Sequence, residues 1–321
     1  MMSTIKKWII AALILLGAGV LLCGISFAVL GFDARKLNTV ELETNIYEVS
    51  EDFLNITVKA DIENITFVPS KDRICKVVCL EEKDNPHQVS VQGDTLTIGK
   101  NEKQKIQFFH FNVITESPKI EIYLPNMDYQ TLSVDANTGD VDITKGFTFE
   151  NISVMLDTGD VSCQADVRGD MNIETNTGHM ILSEVSALGM KLTSDTGSMD
   201  ITNIVLSGDM EIREGTGRVN MENVTCGNLT SKGDTGNLVM TNVIASGEFN
   251  IERDTGKIEF NECDAETIYV KTDTGSVTGS LLSEKVFITD TDTGNVDVPK
   301  TITGGRCEIT TDTGNIKIRV E

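Results

Sequence analysis

The chain is short of the residues from which most enzyme sites are assembled. It has 3 histidines, 1 tryptophan and 5 prolines in 321 residues, and aromatics make up only 5%. The histidines, at positions 87, 110 and 179, fall in separate segments, so spacing supports no Cys/His or Ser/His/Asp grouping. Phosphate-binding glycine loops and zinc spacings are missing too, and neither a catalytic residue nor a cofactor is expected. Positive charge is also scarce. Against 49 Asp plus Glu there are 27 Lys plus Arg, a net charge of -22, which repels a phosphate backbone and excludes nucleic acid as a partner.

Beyond residue 30 there is no long apolar run. Before it, Trp8 to Leu30 is uncharged and as a helix would span roughly 34 Å, enough to cross a bilayer. A signal peptide has a shorter apolar core, about 7 to 15 residues. Although Ser26-Phe27-Ala28 would pass as a cleavage site, an uncleaved anchor is the expectation. Lys6 and Lys7 precede the span, while Arg35 and Lys36, offset by Asp33, follow it. This charge bias favours an inside N-terminus. The chain then divides into a cytoplasmic N-terminus (1–7), a transmembrane helix (8–30), a charged linker (31–52) and a body outside the cytoplasm, as a single-pass protein of the cell membrane.

What the sequence has in abundance is Thr-Gly. The dipeptide recurs with its glycine at Gly139, Gly159, Gly178, Gly197, Gly217, Gly236, Gly256, Gly275, Gly294 and Gly314. The spacing is always 19 or 20 residues, the mark of a solenoid. Counting each glycine as zero, positions +2 and +4 are essentially apolar and position +3 between them is mostly polar, as in Val141 and Ile143 or Val219 and Met221. Position -7 is apolar throughout, and -5 is apolar apart from Ser231 and Thr289. A weaker pair falls at +7 and +9. This alternation predicts short strands with one buried face, three to a coil. The fold class is therefore all-β: a single-stranded parallel β-helix of about ten coils over residues 131–321, roughly 48 Å long and right-handed by default. Residues 53–130 keep β character without the period and are read as an irregular cap and first coils.

Cys163, Cys226, Cys263 and Cys307 fall on inward columns, no two in adjacent coils. Cysteines two coils apart are ~9.6 Å apart, beyond the ~7 Å reach of a disulfide. Cys75 and Cys79, four apart on a predicted strand, are ~13 Å apart and cannot pair with each other.

In seven coils the residue before Thr-Gly is Asp, and Asp-Thr-Gly also marks the catalytic aspartate of aspartic proteases. Those enzymes need two such carboxylates sharing a proton about 3 Å apart, whereas adjacent coils place them ~4.8 Å apart in an open row. The structural reading, an Asx-Thr-Gly corner with stacked threonines, accounts for every copy. Asp234, Asp254, Asp273, Asp292 and Asp312 stand in consecutive coils; they are a solvated row or, on a sharper reading, candidate ligands for Ca²⁺. Asn203, Asn223 and Asn242, at +6, suggest an asparagine stack at another corner.

The pattern resembles the bacterial "putative adhesin" β-strand-repeat family, a membrane-anchored domain of unknown function common in Gram-positive bacteria. The likeness rests on the single N-terminal span, the lead-in "IEIYLPNMDYQTLSV", and the Thr-Gly-x-Val-x-Ile repeats that follow. It implies an envelope-exposed protein and brings no catalytic residues. Two readings follow: a non-catalytic adhesion or binding module for an envelope protein or polysaccharide, and a structural or regulatory envelope protein docked on a membrane partner in an envelope stress response. The chain ends in "NIKIRVE" with no cap, so the last coil is expected to be the open end, available for self-association despite Lys317, Arg319 and Glu321.

Overall fold

The structure, a computed structural model, describes residues 4–33, 40–71, 73–100 and 117–321. Arg35, Lys36 and His110 lie outside the described residues. Helix α1 (Thr4–Val29) contains an apolar stretch, Trp8–Val29, long enough to cross a membrane, and none of it is buried.

The rest is a stack of coils, each contributing one strand to a 15-stranded sheet and one to a 14-stranded sheet. Columns predicted from the period are the columns that pair: Met190 lies beside Met210, Met210 beside Leu229, and Leu229 beside Phe249. Inward residues of both sheets form one continuous core, from Val49 near one end to Ile318 near the other.

Most coils have two strands rather than the three expected. In the strand Val219–Cys226 the apolar pair at +7 and +9, Val224 and Cys226, belongs to the same strand as Val219 and Met221. The strand bends at +6, where Asn223 has φ 55°, as Asn203 (56°) and Asn242 (51°) do in their coils. Asparagine tolerates this left-handed geometry better than most residues. The three amides also form the anticipated stack, Asn242 donating to Asn223 and Asn223 to Asn203, each at 2.9 Å.

Both ends depart from the simple stack. At the N-terminal end the strands are β1 (Leu42–Val49), β2 (Asn55–Ala60), β3 (Asn64–Pro69), β4 (Cys75–Glu82), β5 (Gln88–Gln92), β6 (Thr95–Gly99) and β7 (Lys119–Leu124). Strands β2 and β3 form a coil stacked directly on the first repeat, with β6 and β7 outside it. Antiparallel strands then cover them, β5 on β6, and β4 and β1 on β7. Strand β1 thus occupies the latter part of the segment read as linker.

At the other end the last two coils are spatially exchanged. The final coil, residues 305–320, sits between the coil of Ile268 and Val277 and the coil of Phe287 and Val296. The expectation that "NIKIRVE" is the open edge is therefore corrected in part: the strand Gly305–Thr313 and, in the last strand, Ile316 and Lys317 have partners on both sides, Ile318–Val320 pair on one side only, and the outermost strands are Lys285–Thr293 and Val296–Asp297. Inward polarity supplies the reason. The final coil offers Cys307, Ile309, Ile316 and Ile318, all buried, whereas the displaced coil carries Thr289 in the inward -5 column and leaves Val296 exposed.

Candidate functional site

The repeat glycines are where coils touch through their backbones. A Cβ on Gly178 would lie 1.8 Å from the carbonyl oxygen of Gly159, and one on Gly236 would lie 1.4 Å from that of Gly217. The N–H of Gly178 also donates to the carbonyl of Thr196, 3.0 Å away in the next coil. Close inter-coil approach, more than the turn itself, requires glycine here.

The aspartates before them behave differently from an Asx corner. Asp234, Asp254, Asp273, Asp292 and Asp312 are all exposed, and among the described residues their carboxylates make no side-chain hydrogen bond. Each closes an extended strand and points to solvent. The side-chain bond between coils sits one residue past the glycine instead. There Asp140 accepts from the N–H of Asp160 at 2.9 Å, Asp160 from that of His179 at 2.7 Å, and Asn237 from that of Lys257 at 2.9 Å. The exchange of coils also breaks chain order in the row, because Thr313 pairs with both Thr274 and Thr293 and so brings Asp312 between Asp273 and Asp292.

The polar chemistry that is buried lies elsewhere. In β4 the inward residues are Cys75, Val77, Cys79 and Glu81, so a carboxylate occupies a position the pleat assigns to the core. Glu63, inward with Ile65 and Phe67, is also fully buried. His87, 3% exposed, lies between them: its Nδ1 contacts Glu81 Oε2, and its Nε2 faces Glu63 Oε1 at 3.5 Å. The other Glu81 oxygen accepts from Asn45 and from the Tyr47 hydroxyl, both at 2.8 Å. Glu63 is held by Lys100 at 2.6 Å and by the N–H groups of Asp61 and Ile62 at 2.8 and 3.0 Å.

Burial raises the Glu63 carboxyl, but His87, Lys100 and the Asp61 N–H outweigh it and hold the group well below the usual carboxylate range. Glu81 is likewise lowered, the raising effect of burial being overcome by the His87 N–H, Asn45, Tyr47 and the His87 ring. The neighbouring Cys79 thiol is pushed up to about 12 by burial and by Glu81 and Glu63. The sequence offered no Cys/His grouping; folding assembles one from Cys79, Glu81 and His87. The legible signal was Glu81, whose parity along "CKVVCLE" places it on an apolar face.

A second buried charge pair lies mid-solenoid in the -3 column. Glu214 and Arg253, two coils apart, both extend toward Gly233 in the coil between them. A Cβ on Gly233 would lie 1.9 Å from Arg253 Nη1 and 2.9 Å from Glu214 Oε2. Arg253 Nη2 donates to Ser231 at 3.1 Å, which explains a polar residue in the apolar -5 column. Burial pushes Glu214 up to about 7, with Arg253 opposing and Asp234 adding to the rise. Elsewhere the thiols are inert by the same cause, burial pushing Cys163 and Cys307 up to about 12.

The family model described as Toastrack DUF4097 matches residues 53–226. A "putative adhesin" from Parabacteroides distasonis is similar in structure at 13% identity, covering 87% of this chain and 98% of that one, with a TM-score of 0.46. One from Bacteroides fragilis shares 16% identity, over 87% and 97% of the chains, with a TM-score of 0.38. A "putative lipid binding protein" from Parabacteroides distasonis shares 13% identity, over 86% and 97%, with a TM-score of 0.40. No curated protein matches the chain.

Proposed function

The chain belongs to the Toastrack DUF4097 family, and we propose that it is a membrane-anchored, extracytoplasmic β-solenoid acting as a non-catalytic adhesion or binding module of the cell envelope. The observation that carries the reading is the pair of long sheets, 15 and 14 strands, parallel and in register along the repeats, so that outward positions stack from coil to coil. Such a surface is rigid and extended, and suits a ligand that is itself long or repeated. The apolar helix at one end supplies an anchor. With 12 residues between Val29 and Leu42, the capped end stays within about 43 Å of the helix. On the outer face of that end a shallow groove is lined by Lys71, Lys76 and Tyr123, a basic spot on an acidic protein.

Protease shaving of intact cells tests the reading. The body is expected to be cleaved from outside while α1 stays in the membrane, and a body protected in intact cells but cut after lysis overturns it. Crosslinking followed by recovery of the full chain then separates its two forms: a polymer or a ligand from another cell favours adhesion, and a membrane protein of the same cell favours the regulatory alternative.

A further inference from the structure

We propose that the buried cluster at the capped end is a metal site in which Cys79, Glu81 and His87 bind one divalent ion of the zinc class. Their ligand atoms lie within 4.8 Å of one another, and all three residues are buried. A thiolate, an imidazole and a carboxylate form a donor set that suits Zn²⁺ and its borderline-soft neighbours rather than Ca²⁺ or Mg²⁺.

The surroundings have the form of a built outer shell. A metal-binding histidine ordinarily gives its second ring N–H to a carboxylate. Here Nδ1 points to the Glu81 side and Nε2 to Glu63, 3.5 Å away. Glu63 is fixed in turn by Lys100 and by two backbone N–H groups. Asn45 and Tyr47 occupy Oε1 of Glu81. Oε2, held by the His87 N–H at 2.6 Å and in contact with Nδ1, is the oxygen that would turn to the ion, which would replace the direct contact with the ring.

Charge also balances. A coordinating thiol is deprotonated, so Cys79 and Glu81 together offset the two positive charges, while Glu63 is offset by Lys100. No unpaired charge is then left in the buried space. Three protein ligands leave the fourth tetrahedral position for water or a further ligand. Two of the ligands lie on β4 and the third just before β5, so the ion would clasp the two sheets together at the end of the stack nearest the anchor.

The test uses the full chain in detergent with Cys23→Ala, because Cys23 is an exposed thiol. Stripped with a chelator, it is titrated with Co²⁺, whose thiolate charge-transfer absorption reports a Cys ligand. The expected result is one equivalent bound, with the band lost in Cys79→Ser and retained in Cys75→Ser, and displacement of Co²⁺ by Zn²⁺ with a rise of several degrees in Tm. Absence of the band in the parent chain overturns the proposal whatever the variants do. A band that survives Cys79→Ser overturns it equally. Glu63→Gln, which keeps all three ligands, is expected to retain the band but to bind Co²⁺ about 10 to 100-fold more weakly; unchanged affinity removes Glu63 from the site.

Discussion

The two ends of the solenoid solve the same problem in opposite ways. A terminal coil leaves a row of unpaired backbone groups on its outer side, a template for pairing with other chains. The N-terminal end covers that row with antiparallel strands and buries three charged or titratable groups beneath them, Glu63, Glu81 and His87, with Lys100 half-buried beside Glu63. The C-terminal end hides the chain terminus inside the stack and leaves an internal coil outermost, with Ile288 46%, Val296 44% and Ile302 91% exposed. An end fastened by polar contacts depends on each partner and on pH. An end left open depends on neither, and its vulnerability is association.

The largest expected effect is at the fastened end. Removing a buried hydrogen-bond partner costs about 1–3 kcal/mol, more where the group left unsatisfied is charged, and His87 lies against two buried carboxylates, Glu63 and Glu81. His87→Ala is therefore expected to lower the denaturation midpoint and to speed amide exchange in β1 and β4, while exchange in the last coils stays unchanged. Equal loss of protection along the whole rod would show that the two ends are not independent. The pH dependence follows the same asymmetry. Glu63 and Glu81 are lowered in the folded state, so their contribution is present above about pH 4.3, the ordinary Glu value, and lost as pH falls through the folded values. Glu214, raised to about 7, acts oppositely: the folded state keeps its proton longer, so stability falls as pH rises from about 4.3 toward 7. Acid should open the cap first, as exchange at pH 3 would reveal.

The next effect inverts what chain position suggests. Ile316, in the final coil, is fully buried, whereas Val296, in the same +2 column of the coil before it in the chain, is 44% exposed. Ile316→Ala is expected to cost about 2–5 kcal/mol and Val296→Ala to stay within about 0.5 kcal/mol, both read from denaturant midpoints. Equal costs would contradict the exchange of coils.

This exchange was the least legible part of the sequence, and the reason is physical. All repeats share the same columns, so residue 277 finds an equivalent partner in Ile316 or in Val296, and the difference rests on a few inward residues such as Thr289. The stack itself, its register and the asparagine bend at 203, 223 and 242 were readable, because each follows from a period that the core enforces ten times. The buried cluster was half readable. Glu81 betrayed itself by parity, but nothing local says that His87, beyond a turn, and Glu63, just before β3, converge on it. Likewise Ser231 read as a flaw in a column until Arg253, in the next coil, gave it a partner.

A smaller effect concerns association. Lysines at an edge discourage pairing, so Ile288→Lys with Val296→Lys is expected to leave Tm unchanged and to abolish concentration-dependent light scattering of the detergent-solubilised chain. Substitution at Lys317, which is paired on both sides, is expected to leave scattering unchanged. The reverse pattern would return the open edge to the terminus.

The smallest effect belongs to neither end but to the aspartate row that runs toward the open one. Asp254 and Asp273 are exposed and make no side-chain hydrogen bond, so asparagine sacrifices no contact there. Charges ~4.8 Å apart in adjacent coils repel by about 1 kcal/mol in water before screening. Asp254→Asn with Asp273→Asn should therefore stabilise the chain by a few tenths to about 1 kcal/mol at low ionic strength. The gain should disappear near 1 M salt, where the screening length is about 3 Å. Millimolar Ca²⁺ separates the two remaining explanations of why charge is kept. If the row is simply solvated, Ca²⁺ shifts the parent and the variant alike. If it takes up cations, Ca²⁺ raises the Tm of the parent alone, and the apparent flaw in the column becomes the ligand set.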